Sequence, residues 1–94
     1  MNALLDFKKI ERISSALGDP YRLKIIEAVR KESGWLPCGT LTNMLNISQS
    51  TVSHHLKQLV DAELLLVEKE GRKTRYTINK EVFAAFSDYL KAFS

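Results

Sequence analysis

Residues 45–65 read LNISQSTVSHHLKQLVDAELL, and the arrangement of this stretch decides what the rest of the chain has to be. Ser48 is a residue type favoured at a helix N-cap, where its hydroxyl accepts a hydrogen bond from an otherwise unpaired backbone N–H. The spacing predicts a helix from Gln49 to about Ala62. With Val52 as origin and about 100° per residue, Leu56 and Leu59 stay within about 40° of it and form a buried stripe. Ser50, His54 and Lys57 fall on the opposite side, with Thr51, Ser53 and Gln58 on the shoulders. From Gln49 to Lys57 this outward face carries no carboxylate.

Such a face suits a duplex. A carboxylate would repel phosphate, and short hydroxyls let a helix approach the major groove closely. Gln49 and Ser50 stand at the N-terminal end, where free backbone N–H groups also favour phosphate. His54 points outward and is a candidate for DNA contact. His55 falls about 60° from Val52, near the buried side, and reads as a packed or hydrogen-bonded residue that steadies the helix. Neighbouring histidines project about 100° apart and do not converge on one metal ion. The competing reading of the polar face is an ordinary solvated helix surface.

Working towards the N-terminus, a short helix is expected over about Thr40–Leu45, with Leu41, Met44 and Leu45 inward. Only Asn46 and Ile47 separate it from Ser48, and a short helix, a tight turn and a polar-faced second helix make a helix-turn-helix. ESGWLPCGT (32–40) is a break punctuated by Gly34, Pro37 and Gly39. Before it, Asp19 caps a helix with Pro20 in its first turn. Leu23, Ile26 and Val29 are its inner stripe, with Ile25 beside them, and it runs to about Lys31. The first helix covers about Leu4–Leu17, with Leu4, Phe7, Ile10, Ile13 and Leu17 on one side, and Gly18 stops it.

Towards the C-terminus the period changes to two after Glu63. Leu65–Lys69 and Thr74–Ile78 read as strands around EGRK. Gly71 suits a hairpin turn, and Leu66 and Tyr76 are candidate anchors against the helices. Residues 71–80 hold Arg72, Lys73, Arg75 and Lys80 with no acid. Arg72, Lys73 and Arg75 sit where a wing would touch phosphate or the minor groove. Asn79 caps a last helix to about Phe93, with Val82, Phe83, Phe86, Leu90 and Phe93 on its apolar side. The expected fold is mostly α with a β-hairpin: a winged helix-turn-helix in the order α-α-α-α-β-β-α, with 1–94 as one domain.

A chain of 94 residues holds one modest core. It cannot easily cover the apolar sides of both terminal helices, so pairing with a second copy is the simplest solution. Leu4, Phe7, Ile10, Phe83, Phe86, Leu90 and Phe93 are the expected homodimer contacts. The net charge of +3, from 14 basic and 11 acidic side chains, says little by itself. One cysteine, Cys38, rules out an internal disulfide. No run has the length of a membrane span or signal core, so a cytoplasmic protein without a membrane partner is expected. One cysteine and two adjacent histidines do not assemble a nucleophile, base and orienter, and no glycine-rich phosphate loop is present, so no enzyme is expected.

Three segments carry a resemblance: LGDPYRLKIIEAV (17–29), LNISQSTVSHHLKQLVDAELL (45–65) and EGRKTRYTI (70–78). Together, over about residues 15–80, the chain resembles the ArsR/SmtB family of winged-helix repressors. SQSTVSHHLKQL (48–59) is the most specific part. The resemblance implies a homodimeric repressor of double-stranded operator DNA, released by a signal, with dimer contacts from the first and last helices. It also implies that the 49–62 helix enters the major groove and that the segment around Arg72 is the wing.

The chain departs from the family's metal sites. Against the arsenic-type Cys-Val-Cys-Asp-Leu run it has Pro37, Cys38, Gly39, Thr40 and Leu41, so both cysteine positions are empty. The segment 79–94 has no histidine or cysteine, and Glu81 and Asp88 match the zinc-type ligands poorly. No metal or cofactor is expected. Cys38 is a low-ranking candidate thiol sensor beside a helix start, against the plainer role of a small buried apolar residue. An unidentified small-molecule inducer in a pocket between subunits, or regulation by protein level alone, fits the missing ligands equally well. Trp35 is a candidate to line such a pocket, against the plainer role of a core or interface aromatic. The alternatives to an operator-binding regulator are a winged-helix protein-interaction adaptor and a nonspecific architectural DNA-binding protein.

Overall fold

Five helices and one hairpin follow one another along the chain. The computed structural model describes residues 5–32 and 38–94, and of Cys38 the backbone only. The elements are α1 (Phe7–Leu17), α2 (Pro20–Lys31), α3 (Cys38–Leu45), α4 (Gln49–Asp61), β1 (Leu65–Glu70), β2 (Lys73–Ile78) and α5 (Lys80–Lys91). This is the expected winged helix-turn-helix order.

Local chemistry sets most boundaries. Asp6 caps α1 by accepting the Lys9 N–H at 2.8 Å, so the helix starts at Phe7 rather than near Leu4. Asp19 accepts the N–H groups of Tyr21 and Arg22 at 2.8 and 3.2 Å, with Pro20 at the first position of α2. Helix α3 begins two residues earlier than expected, at Cys38. Asn46 leaves it in the left-handed region (φ 55°), a conformation asparagine tolerates. Leu4, Gly34, Trp35 and Pro37 lie outside the described residues.

The end of α4 is a Schellman motif. The Leu64 N–H bonds to Leu59 O at 3.0 Å and the Glu63 N–H to Val60 O at 2.9 Å. Glu63 takes the left-handed position, φ 63°, usually given to glycine. Leu59 and Leu64 are both fully buried, supplying the apolar contact that goes with the motif.

β1 and β2 pair antiparallel, from Leu65 opposite Ile78 at the base to Glu70 opposite Lys73 at the tip. Each strand is one residue longer towards the tip than expected. Gly71 (φ 62°) and Arg72 form the two-residue turn, with positive φ at the first position only, as in a type II′ turn. Asn79 fastens the base: its N–H bonds to Leu64 O and its Nδ2 to Glu63 O, while its Oδ1 caps α5.

The core gathers Ile13 from α1, Ile25 and Val29 from α2, Leu41 and Leu45 from α3, Val52, Leu56 and Leu59 from α4, and Leu64, Leu65, Val82 and Ala85 after it. Helix α2 lies at its centre, packed on α1, α3, α4 and β2. Three expected core residues are not there: Leu23 and Met44 are 47% and 50% exposed, and Leu66 is exposed as well. Leu23 and Met44 instead line an apolar groove of about 350 Å³ between α2 and α3, walled also by Ala28, Lys24, Glu27 and Lys31. Tyr76, the other expected anchor, does pack against the core.

Candidate nucleic-acid interface

The inner side of α4 is buried at Val52, His55, Leu56 and Leu59, which fixes its rotation. Gln49, Ser50, Thr51, Ser53, His54 and Lys57 are all exposed on the other side. The cap orders the N-terminal end. Ser48 Oγ accepts the Thr51 N–H at 3.2 Å and lies 2.8 Å from Thr51 Oγ1 and 3.2 Å from Ser50 Oγ. Three hydroxyls therefore cluster where the helix dipole is positive.

Lys57 is exposed on the outward side as expected, and it also carries an ion pair. Its Nζ pairs with Asp61 Oδ2 at 2.8 Å, one helical turn on. The carboxylate-free face thus ends at Asp61, and the Lys57 charge is shared with it. Both groups are well exposed, so the pair contributes little to stability.

His55 is buried and hydrogen-bonded, as its wheel position requires. Its Nδ1 lies 3.2 Å from Arg22 Nη1. A guanidinium only donates, so Nδ1 is the acceptor in this contact. The Tyr21 ring stands 5.8 Å away, centroid to centroid. The same Arg22 donates from Nε to Ala16 O at 2.6 Å and from Nη2 to Ser15 O at 3.3 Å. These are carbonyls of the last turn of α1, which a cation suits. Sequence reasoning passed over Arg22. Its place in LGDPYR was visible, but its partner lies 33 residues away.

Desolvation acts upward on the Asp19 carboxyl, but the N–H bonds from Arg22 and Tyr21 and the Arg22 charge outweigh it. They hold the carboxyl below its ordinary value.

On the hairpin, Arg72 and Lys73 are exposed at the tip. Arg75 is half-buried, and its Nη2 donates to Glu68 Oε2 at 2.9 Å. The register explains this: Glu68 stands directly opposite Arg75, and Glu70 opposite Lys73. The acid-free run 71–80 therefore faces acids across the ladder. β1 packs against α4, so the hairpin and the helix are neighbours.

The terminal helices and the turn after α5 carry exposed apolar residues: Phe7 is 72% exposed, Leu90 48% and Phe93, two residues past the end of α5, 75%. Phe83 and Phe86 are partly buried against the core. Phe86, Tyr89 and Phe93 form a ring series with centroid distances of 6.4 and 5.4 Å. Ile10, expected with them, is buried within the protomer, with 8% of its surface exposed. Cys38 is the first residue of α3. Among the described residues, no three His, Cys, Asp or Glu side chains are grouped to hold a metal ion. No described helix is long and apolar enough to cross a membrane.

Comparison with known proteins bears on the same elements. The helix-turn-helix domain family matches residues 17–68. The arsenical resistance operon repressor of Staphylococcus xylosus is 37% identical over 86 residues, 92% of this chain and 77% of that protein. An ArsR-like transcriptional regulator from Rhodococcus sp. RHA1 shares the fold, with a TM-score of 0.80 over 93% of this chain and 80% of its own at 21% identity. Reduced HlyU from Vibrio cholerae N16961 matches with a TM-score of 0.68 and 28% identity over 92% and 90% of the two chains.

Proposed function

Because this chain belongs to the ArsR/SmtB family of winged helix-turn-helix transcriptional regulators, we propose that it represses transcription by binding a palindromic operator as a homodimer. The observation that carries this reading is the exposed, carboxylate-free surface of α4 from Gln49 to Lys57, whose inner side is locked in the core. Ser50, Thr51, Ser53 and His54 face base edges in the major groove, and Gln49 the adjoining phosphate. Arg72 and Lys73 touch the backbone or minor groove beyond it. Arg75 contributes less because Glu68 shares its charge.

Phe7, Leu90 and Phe93, with Phe83 and Phe86 beneath, are the surface covered by the second copy. Exposed apolar residues on α1, on α5 and just past its end support this use. A twofold dimer presents two α4 helices to half-sites about 34 Å apart. Such a regulator works in the cytoplasm.

Release follows a different chemistry from that of the family's thiolate sites. Cys38 is the sole cysteine, so one protomer cannot offer paired thiolates to an arsenical. An organic inducer and regulation by protein level alone are the alternatives this leaves, with Cys38 itself a weaker candidate.

The test is selection of bound duplexes from fragmented native DNA by the full chain. Enrichment of a palindrome supports the reading. Salt-sensitive binding without enrichment would point to an architectural role, and no binding to an adaptor. Either outcome would overturn it.

A further inference from the structure

Arg22 joins three helices at one guanidinium. It closes the last turn of α1 through Ala16 O and Ser15 O, belongs to α2, and donates to His55 on the buried side of α4. Its own N–H is held by Asp19, so the side chain leaves α2 from a fixed point. The planar fork matters: three acceptors at 2.6, 3.2 and 3.3 Å are met by three different nitrogens. An ammonium, one point donor on a flexible stem, cannot span them.

Among the described residues His55 is the sole buried polar side chain, with 8% of its surface exposed. It lies directly beneath the exposed surface, next to His54, with the two rings 6.1 Å apart. An apolar residue at position 55 would pack as well but would offer Arg22 no acceptor. Packing alone does not account for a histidine in this place; a directional contact that sets the roll of α4 about its axis does.

We propose that Arg22 is a positioning residue for DNA reading, acting through His55 to set the rotation of α4 against α1 and α2. This rests on the DNA-binding reading above. Because α1 also carries Phe7, the guanidinium links the surface proposed for the second copy to the one proposed for DNA. A helix rolled by a few degrees still offers its charge to phosphate but misaims Ser50 and His54 at base edges. Loss of the contact therefore lowers specific binding and spares nonspecific binding.

The test compares wild type with Arg22→Lys, Arg22→Gln, His55→Gln and His55→Leu. Each is titrated with the selected duplex and with a scrambled duplex at one salt concentration. His55→Leu and both Arg22 variants should lose about tenfold in specific affinity, the scale of a hydrogen bond to a charged group. Their affinity for scrambled duplex should stay within about twofold. His55→Gln, which keeps a side-chain acceptor, should recover most of the specificity ratio, a recovery that a purely structural role for position 55 would not produce.

In parallel, nitrogen NMR of wild type should show His55 with a bare Nδ1 and a protonated Nε2, a readout that holds if Arg22 variants fail to fold. A wild type that binds its duplex specifically while Arg22→Gln and His55→Leu keep the full specificity ratio would overturn this proposal alone. A proton on His55 Nδ1 would do the same. A wild type that enriches no duplex would remove the reading beneath it as well.

Discussion

Helix α4 and the β1–β2 hairpin touch each other, yet they are held in opposite ways. α4 sends Val52, His55, Leu56 and Leu59 inward and is closed at one end by Ser48 and at the other by a Schellman motif. The hairpin buries one strand residue fully, Leu65 at its base, and leaves Leu66 and Val67 exposed. The aim of α4 is thus fixed by the core of the protomer. The hairpin is held at its base by Asn79 and by Tyr76 and Ile78, partly buried against the core, while its tip at Gly71 stands in open space. A reading surface needs the first kind of support; a wing that grips phosphate tolerates the second.

Truncation should separate the two most clearly. Leu59→Ala should cost about 2–5 kcal/mol of stability, because the side chain is fully buried. Val67→Ala should cost less than about 1 kcal/mol. Urea denaturation of both variants measures the difference, and equal losses would break the comparison.

Binding should separate them next. His54→Ala should shift base preference by about 1–3 kcal/mol at one position of each half-site. Arg72→Ala should weaken binding to all sequences and lower the salt slope by about one. Competition with mutated duplexes, repeated over a salt series, distinguishes these behaviours.

Backbone strain sharpens the contrast on a smaller scale. Gly71→Ala should destabilise the hairpin by about 1 kcal/mol through its positive φ alone, since a Cβ there meets open space. Glu63→Gly should raise stability by about 0.5–1 kcal/mol by relieving the left-handed residue that ends α4. Thermal melts check both, and a Glu63→Gly variant that melts lower would show that the glutamate side chain matters more than its backbone.

The smallest effect is with pH. The Asp19 carboxyl is held below its ordinary value in the folded protein. Its contribution is present above the unfolded value and is lost as pH falls through the folded one. Melts of wild type and Asp19→Asn should therefore converge as the medium is acidified below the ordinary carboxylate value.

The order of elements and the inward side of α4 were legible because helical periodicity and capping are local. Ser48, Asp19 and Asn79 each cap the helix they precede. What escaped depends on separation along the chain. Glu68 opposes Arg75 only through strand register. Arg22 meets His55 only because α2 and α4 cross. Leu23 and Met44 fall at inward spacings on their helices, yet α2 and α3 diverge there into a groove and leave both half-exposed. Ile10 sits on the same stripe as Phe7, but its own core covers it.

The central claim is that the outward face of α4 and the tip of the hairpin meet one duplex together. Amide-resolved NMR titration of the full chain with its selected palindrome tests it most directly. Resonances of Gln49–Lys57 and of Gly71–Lys73 should move together and saturate at one duplex per dimer. Movement confined to the hairpin, with α4 unchanged, would contradict the account.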